Sequence, residues 1–463
     1  MSTSIVKQPG YRALLTRELA LLTIGAFLLM VVNAFEIIGS AAAMPAVLQD
    51  LGGTAFYGWA ISAPLLASLV SAPFGGRLAD RFGTRMPVAL TLGLFALGRA
   101  ITATAPSMQM VAAGRFIQGL GVGALTTLEL VIVARRYPME LRSRMLTLIS
   151  AAFVLPGLIG PSIAAGIASS FGWRWVYGGI IPVLMITGML ILPALAGRES
   201  TDKEPSAFPW WGPLLLAGGI AATVGGLATS QHWFAPIGLI GIVLAVVGGR
   251  VTLPSGTWRA RPGPDAAIAA ALFGSAAYLT YEAFVPLLLV EIRGQSLLRA
   301  ALPLTAASLC WTSGSWWQAR VDPMRRPSLG RLGGVLLTLG LILGSTLLIK
   351  AVPFWIAYPA TGLAAFGMGL AFTIEQVVAV EWALPGREGE LGGFVQLANL
   401  LGAAVGTSVS AIAVAWFDTQ LTIAIGVTFV FTIMCAIAAA WAGGHLPGGH
   451  APTHPVEAKE LPV

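Results

Sequence analysis

Four ionisable side chains stand inside otherwise apolar stretches of the chain: Glu36, Glu282, Glu375 and Arg115. Charged groups are costly within a long apolar run, and where they occur they mark ion paths, proton relays or substrate sites. At ~1.5 Å per helical residue, Glu36 lies ~13 Å in from Pro45, Arg115 ~10 Å in from the start of its stretch and Glu282 ~12 Å back from Val290. The similar depths place one carboxylate in each half of the chain and an arginine near the first. A carboxyl group that exchanges a proton near neutral pH can couple protons to the movement of a solute. Arg115 favours an ionised Glu36, so that pair has to break during such a cycle. Glu375, next to Gln376, is expected to line a cavity from the inner side, and Asn33, Gln118, Gln396 and Asn399 to add polar lining. Glu129, six residues before Arg135, is expected at the inner interface, and Arg99 is expected to snorkel from the outer end of its stretch.

The elements that must hold these groups are membrane helices. Of 463 residues, 56% are hydrophobic and 10% charged, against roughly 25% charged in a soluble domain. Fourteen runs of about 20 apolar residues, each able to cross a ~30 Å hydrocarbon layer, alternate with short polar joints. The expected architecture is an all-α integral membrane protein. Residues 1–197 form a six-helix bundle, 198–263 two additional helices, 264–443 a second six-helix bundle and 444–463 a cytoplasmic tail. Of 27 Lys and Arg residues, 21 fall on one side of this arrangement, which marks that side as cytoplasmic and puts both termini there. The exceptions are Arg174, Arg293, Arg299 and Lys350 outside, with Arg99 and Arg115 within the spans. Arg outnumbers Lys 23 to 4, as in a GC-rich bacterial gene, so the expected location is a bacterial inner membrane.

The same features exclude other classes. A formal charge of +7 spread over short joints is a topology signal rather than a nucleic-acid face. Neither G-x-x-x-x-G-K-[ST] nor G-x-S-x-G occurs, so neither ATP hydrolysis nor hydrolase chemistry is expected. Cys310 and Cys435 sit apart in apolar runs, while His232, His445, His450 and His454 fall in joints and tail, so no disulfide, metal or cofactor is expected. The first apolar run is too long for a cleaved signal and is expected to be retained. Trp59, Trp173, Trp175, Trp210, Trp211, Trp355 and Trp416 fall near span ends, as interfacial belts require. Packing and ligand contact both remain open for Trp311, Trp316 and Trp317.

The two halves repeat. Pro45 leads to Asp50 and then Asp80, as Pro286 leads to Glu291 and then Asp322, a duplication typical of transporters built from paired bundles. The stretch Gly76-Arg-Leu-Ala-Asp80-Arg81-Phe-Gly83-Thr-Arg85 resembles the G-x-L-a-D-R-x-G-r-[RK] signature of the major facilitator superfamily, departing only at Thr84. The resemblance implies a gating loop in which Asp80 meets an arginine or a helix N-terminus across the bundle interface. Arg115-Phe-Ile-Gln118-Gly119 resembles that superfamily's R-x-x-Q-G motif. Gly160-Pro161 resembles the core of its antiporter motif, with Pro156 and Ala164-Ala165 replacing outer glycines. Asn33-Ala-Phe-Glu36 is similar to the first-span motif of the fourteen-helix drug:proton antiporters. These resemblances imply an alternating-access exporter of lipophilic or amphiphilic small molecules, driven by protons, with the lipid bilayer as surroundings and no obligatory protein partner. An exporter of an endogenous lipid, siderophore or antibiotic, or a proton-coupled uptake symporter, is the alternative.

Overall fold

The computed structural model describes residues 11–152, 154–196, 211–228, 234–382, 388–417 and 419–449, and among them every regular element is helical. The first helices are α1 (Ala20–Leu51), α2 (Tyr57–Phe82), α3 (Arg85–Ala103) and α4 (Met108–Arg136). Two broken spans follow as α5 (Met139–Ala151) with α6 (Val154–Ser170), and α7 (Trp173–Gly178) with α8 (Ile181–Ala194). Next come α9 (Trp211–Leu227) and α10 (Ala235–Thr252). The remainder is α11 (Pro264–Leu287), α12 (Leu297–Gln318), α13 (Arg326–Ser345), α14 (Ala357–Glu381), α15 (Glu388–Trp416) and α16 (Leu421–Gly443). Among the described residues, eleven helices are long and apolar enough to cross a membrane. The other three expected crossings fall on the broken α5–α6, on the 17-residue α9, and on α12, whose Arg299, Thr305, Ser308, Thr312, Ser313 and Ser315 lower its hydropathy.

Two local expectations change. Pro45 does not end its span, because α1 runs on to Leu51, so Glu36 lies fifteen residues from that end, ~22 Å, near the middle of the helix. The helix absorbs the proline, as membrane helices do when neighbours satisfy the freed backbone. Its counterpart Pro286 is followed by a π-helical turn at Leu288–Ile292, where the missing N–H loosens the ladder. The supposed gating loop is also mostly helix. Gly76, Asp80 and Arg81 lie in the last turns of α2, and only Gly83 (φ 71°) and Thr84 make the turn into α3, which begins at Arg85.

Glycine sets the helix spacing. A Cβ on Gly119 of α4 would sit 2.6 Å from Pro64 Cα and 2.8 Å from Pro64 C on α2. Such close approach is how membrane helices gain van der Waals contact without a solvent-driven force. Gly119→Val is therefore expected to push α2 from α4 at about 3 kcal/mol. A melting temperature in detergent lowered by several degrees checks it; an unchanged one refutes the contact.

At the end away from the basic joints, helices α1, α2 and α6 meet α11, α12 and the π-helical turn after α11. Gln49 Nε2 donates to Glu291 Oε1 (3.0 Å), Ser162 bonds Thr305 (2.9 Å), and Tyr57 packs edge-on to Phe284 (5.8 Å). Gly58 of α2 lies directly on the backbone of Ala411 in α15. One apolar cluster there joins Met44 and Val47 to Leu287, Leu288 and Ala301. At the basic end the clusters are separate: Leu22, Leu29, Leu128 and Ile132 in one, Leu329, Ile374, Val378 and Leu446 in another. The far end is thus closed across the halves. The hairpin α9–α10 packs against both α2 and α15 through Leu216, Ala217 and Ile220, beside Leu66, Leu69 and Leu401.

Candidate functional site

α1 carries Glu36 into a cage of three neighbouring elements. Arg115 Nη1 of α4 donates to Glu36 Oε1 (3.0 Å), Ser40 Oγ donates to the same oxygen (2.9 Å), and Arg99 Nη1 of α3 pairs with Oε2. Tyr177 of α7 lies against both guanidiniums, with its ring centroid 5.1 Å from Arg99 and 5.9 Å from Arg115. Arg99 Nη2 donates to Val176 O, and Arg115 Nε to Ala60 O of α2. The expected pairing of Glu36 with Arg115 is present, but the expected snorkelling of Arg99 is not. Arg99 is 0% exposed, because Glu36 offers it a charge partner that an apolar interface cannot. Sequence reasoning missed Arg99, Tyr177 and Ser40. The rule that singled out Arg115 applies equally to Arg99, and only its nearness to a span end hid it.

The other carboxylates are differently placed. Glu375 on α14 is 1% exposed and neither oxygen meets a hydrogen-bond donor. Glu282 on α11 is half-buried, one turn beyond Tyr278. Tyr278, Trp311 of α12 and Phe372 of α14 form an aromatic file with centroids 5.1 and 5.4 Å apart, and Glu375 follows Phe372 by three residues. The file answers the tryptophan question: Trp311 turns into it, whereas Trp316 and Trp317 are 64% and 47% exposed. Glu129, expected at a solvated interface, is 2% exposed with neither oxygen bonded, because α4 carries it into the apolar packing of Leu125, Leu128 and Ile132.

The polar residues split. Gln118 is fully buried with its amide unpartnered, Asn33 Oδ1 is unpartnered, and Asn399 Oδ1 accepts from Ser275 (2.6 Å). Gly160 faces Phe35 where α6, carrying Pro161, packs on α1 beside Glu36. Asp80 pairs with Arg135 of α4 rather than across the halves, since the end of α4 lies beside its own α2–α3 turn. The second half repeats this clasp with charges reversed: Arg326 holds Glu381 at 2.7 and 3.0 Å. Asp50 and Glu291, matched in the repeat, also diverge. Asp50 accepts from Trp173 Nε1 (2.9 Å) and Arg174 Nη1 (2.7 Å) within the first half.

The start of the expected tail is docked rather than free: Leu446 is 4% exposed, and Arg326 Nη1 donates to Gly449 O (3.0 Å). Lys7, Arg198, Lys203, Trp210, His232, Arg387, His450, His454 and Lys459 lie outside the described residues. No cluster of metal-binding side chains occurs among the described residues.

Residues 25–365 match the sequence profile of the Major Facilitator Superfamily, nearly three quarters of the chain. The chain belongs to the Major Facilitator Superfamily. The eleven long apolar helices among its described residues fit a multi-pass membrane protein of that superfamily. It is 30% identical over 236 residues to a probable multidrug-efflux transporter of Mycobacterium tuberculosis, covering 49% of this chain and 50% of that one. It is 31% identical over 183 residues to the multidrug transporter protein MdtP of Bacillus subtilis, covering 39% and 34%. An MFS-type transporter of the acurin A biosynthesis cluster of Aspergillus aculeatus is 34% identical over 185 residues, covering 39% and 33%. The chain spans a third to a half of the length of these relatives. Among solved structures, an auto-inhibited POT family peptide transporter shares the fold at TM-score 0.68 and 15% identity, covering 94% of this chain and 99% of that one. A D-xylose-proton symporter does so at 0.66 and 15%, covering 92% and 98%.

Proposed function

We propose that this superfamily member exports lipophilic or amphiphilic small molecules in exchange for protons. In this reading it crosses a bacterial inner membrane fourteen times, with both termini cytoplasmic. Residues 1–197 and 264–443 rock as two bundles, while 198–263 add a helix pair on their seam. The observation that carries it is the aromatic file Tyr278–Trp311–Phe372 flanked by Glu282 and Glu375. Aromatic faces provide apolar surface for a lipophilic solute, and a carboxyl with no donor on either oxygen is free to take up and release a proton. Glu36 is a different case, because in the far-end-closed state each of its oxygens is held by a guanidinium. It joins proton exchange only in a state where Arg115 lets go. Efflux as the direction rests on similarity to proteins named multidrug transporters.

The test follows proton movement with a pH dye in proteoliposomes carrying an imposed pH gradient, on adding lipophilic compounds. Wild type is expected to collapse the gradient in a compound-dependent way, and Glu375→Gln to lose at least about tenfold of that rate, the scale of one lost proton-transfer group. Equal collapse in wild type, Glu375→Gln and Glu282→Gln overturns the coupling scheme.

A further inference from the structure

The Glu36 cage is unbalanced. One carboxylate faces two guanidiniums, and an arginine keeps its charge at any depth, so the cluster carries a surplus of one positive charge. Its side chains come from α1 (Glu36, Ser40), α3 (Arg99), α4 (Arg115) and α7 (Tyr177), with Asn33 and Gln118 each three residues along the helix from Glu36 and Arg115, and among the described residues no second carboxylate is bonded to either arginine. A buried charge without a counter-charge is among the costlier things a fold can hold.

The cage also carries donors that nothing uses. Arg99 Nε and the Gln118 amide are buried without a partner, as is the hydroxyl of Tyr57, one turn before Ala60, whose carbonyl takes Arg115 Nε. Arg115 spends Nη1 on Glu36 and Nε on Ala60, and no hydrogen bond engages its Nη2. Its side chain is 8% exposed where that of Arg99 is 0%, so Arg115 is the member a solute can reach. Beside it, Tyr57 packs on Phe284 of the second half, both buried, so an apolar body reaches this contact as the closed end loosens.

From the surplus charge and the unused donors we infer that the cage is an anion site: Arg115, with Tyr57 and Gln118, takes the carboxylate or sulfonate of an amphiphilic organic monoanion whose apolar body lies against the Tyr57–Phe284 face. One such group balances the second guanidinium of the cage. The inference deepens the export reading by naming the charge class of the solute, and it rests on that reading only for what happens after binding. The carboxylates Glu282 and Glu375 of the second half then remain available for protons.

The test is equilibrium binding to the full chain in detergent, with no pH gradient, using naphthalene-2-sulfonate, its uncharged sulfonamide and a trimethylammonium analogue. Wild type is expected to bind the sulfonate about 10- to 100-fold tighter than the sulfonamide, the worth of a charge-assisted hydrogen bond, and to bind the cation more weakly still. Arg115→Gln, which removes the surplus, is expected to abolish that preference. Glu36→Gln, which keeps the shape and doubles the surplus, is expected to strengthen it and to let the sulfonate raise the melting temperature more than in wild type. Tyr57→Phe, which deletes one hydroxyl, gives a smaller loss and covers the case in which Arg115→Gln does not fold. The inference is overturned if sulfonate and sulfonamide bind wild type equally, or if Glu36→Gln weakens the preference. Binding that passes while proton movement fails would leave the anion site standing and remove the coupling scheme instead.

Discussion

Glu36→Ala is expected to cost about 3–5 kcal/mol of folding stability, the usual consequence of removing one partner from a buried ion pair. Its loss leaves Arg99, 0% exposed, and Arg115 facing each other with no counter-charge. Thermal unfolding in detergent checks this, with Asp80→Ala as the comparison. Asp80 and Arg135 form an ion pair whose side chains are 32% and 24% exposed, where solvent screening limits a pair to ~1 kcal/mol or less. The two variants should therefore separate clearly. A Glu36→Ala protein that melts with the wild type would mean that the cage carries no structural weight, and its arginines would then need another anion.

Gly58→Leu is expected to hold the far end open. Gly58 touches the backbone of Ala411, so any side chain there forces α2 from α15, and the Gln49–Glu291 bond and the Tyr57–Phe284 contact lie on the same face. Overpacking of about 3 kcal/mol applied only to the closed state brings an open state populated at ~1% to rough parity. The measurement is maleimide labelling of Val47→Cys in a background carrying Cys310→Ser and Cys435→Ser. Val47 is 0% exposed in the closed arrangement, and its labelling rate should rise at least tenfold in Gly58→Leu while transport falls. An unchanged rate would show that the Gly58 contact does not control closure.

Membrane residence, helical class and kinship with the superfamily were legible before any coordinates. A lipid core demands long apolar runs with basic joints on one side, and the residues from Gly76 to Arg85 are specific enough to name the family. Partnership was less legible. Glu36 and Arg115 do pair, although the depth count that matched them took Pro45 as the end of a helix that runs on to Leu51. Azimuth and tilt cannot be counted along a span, and that is why Arg99 was assigned to the interface. Asp80 was expected to reach across the halves, but which arginine it meets depends on the state of the bundle, and in the far-end-closed state that is Arg135.

The sequence by itself determined that this is a multi-pass membrane protein of the Major Facilitator Superfamily with charged groups inside apolar runs in each half, because hydropathy, charge placement and motif spacing are properties of the linear chain. Only the tertiary structure decided which of those groups are clamped and which stand alone. Glu36 sits between two arginines, while Glu375 has no donor at either oxygen, and the two carboxylates differ through neighbours up to 79 residues away. Ion pairing is a matter of a few ångströms across helices packed through glycine, and sequence spacing along one helix does not contain that distance.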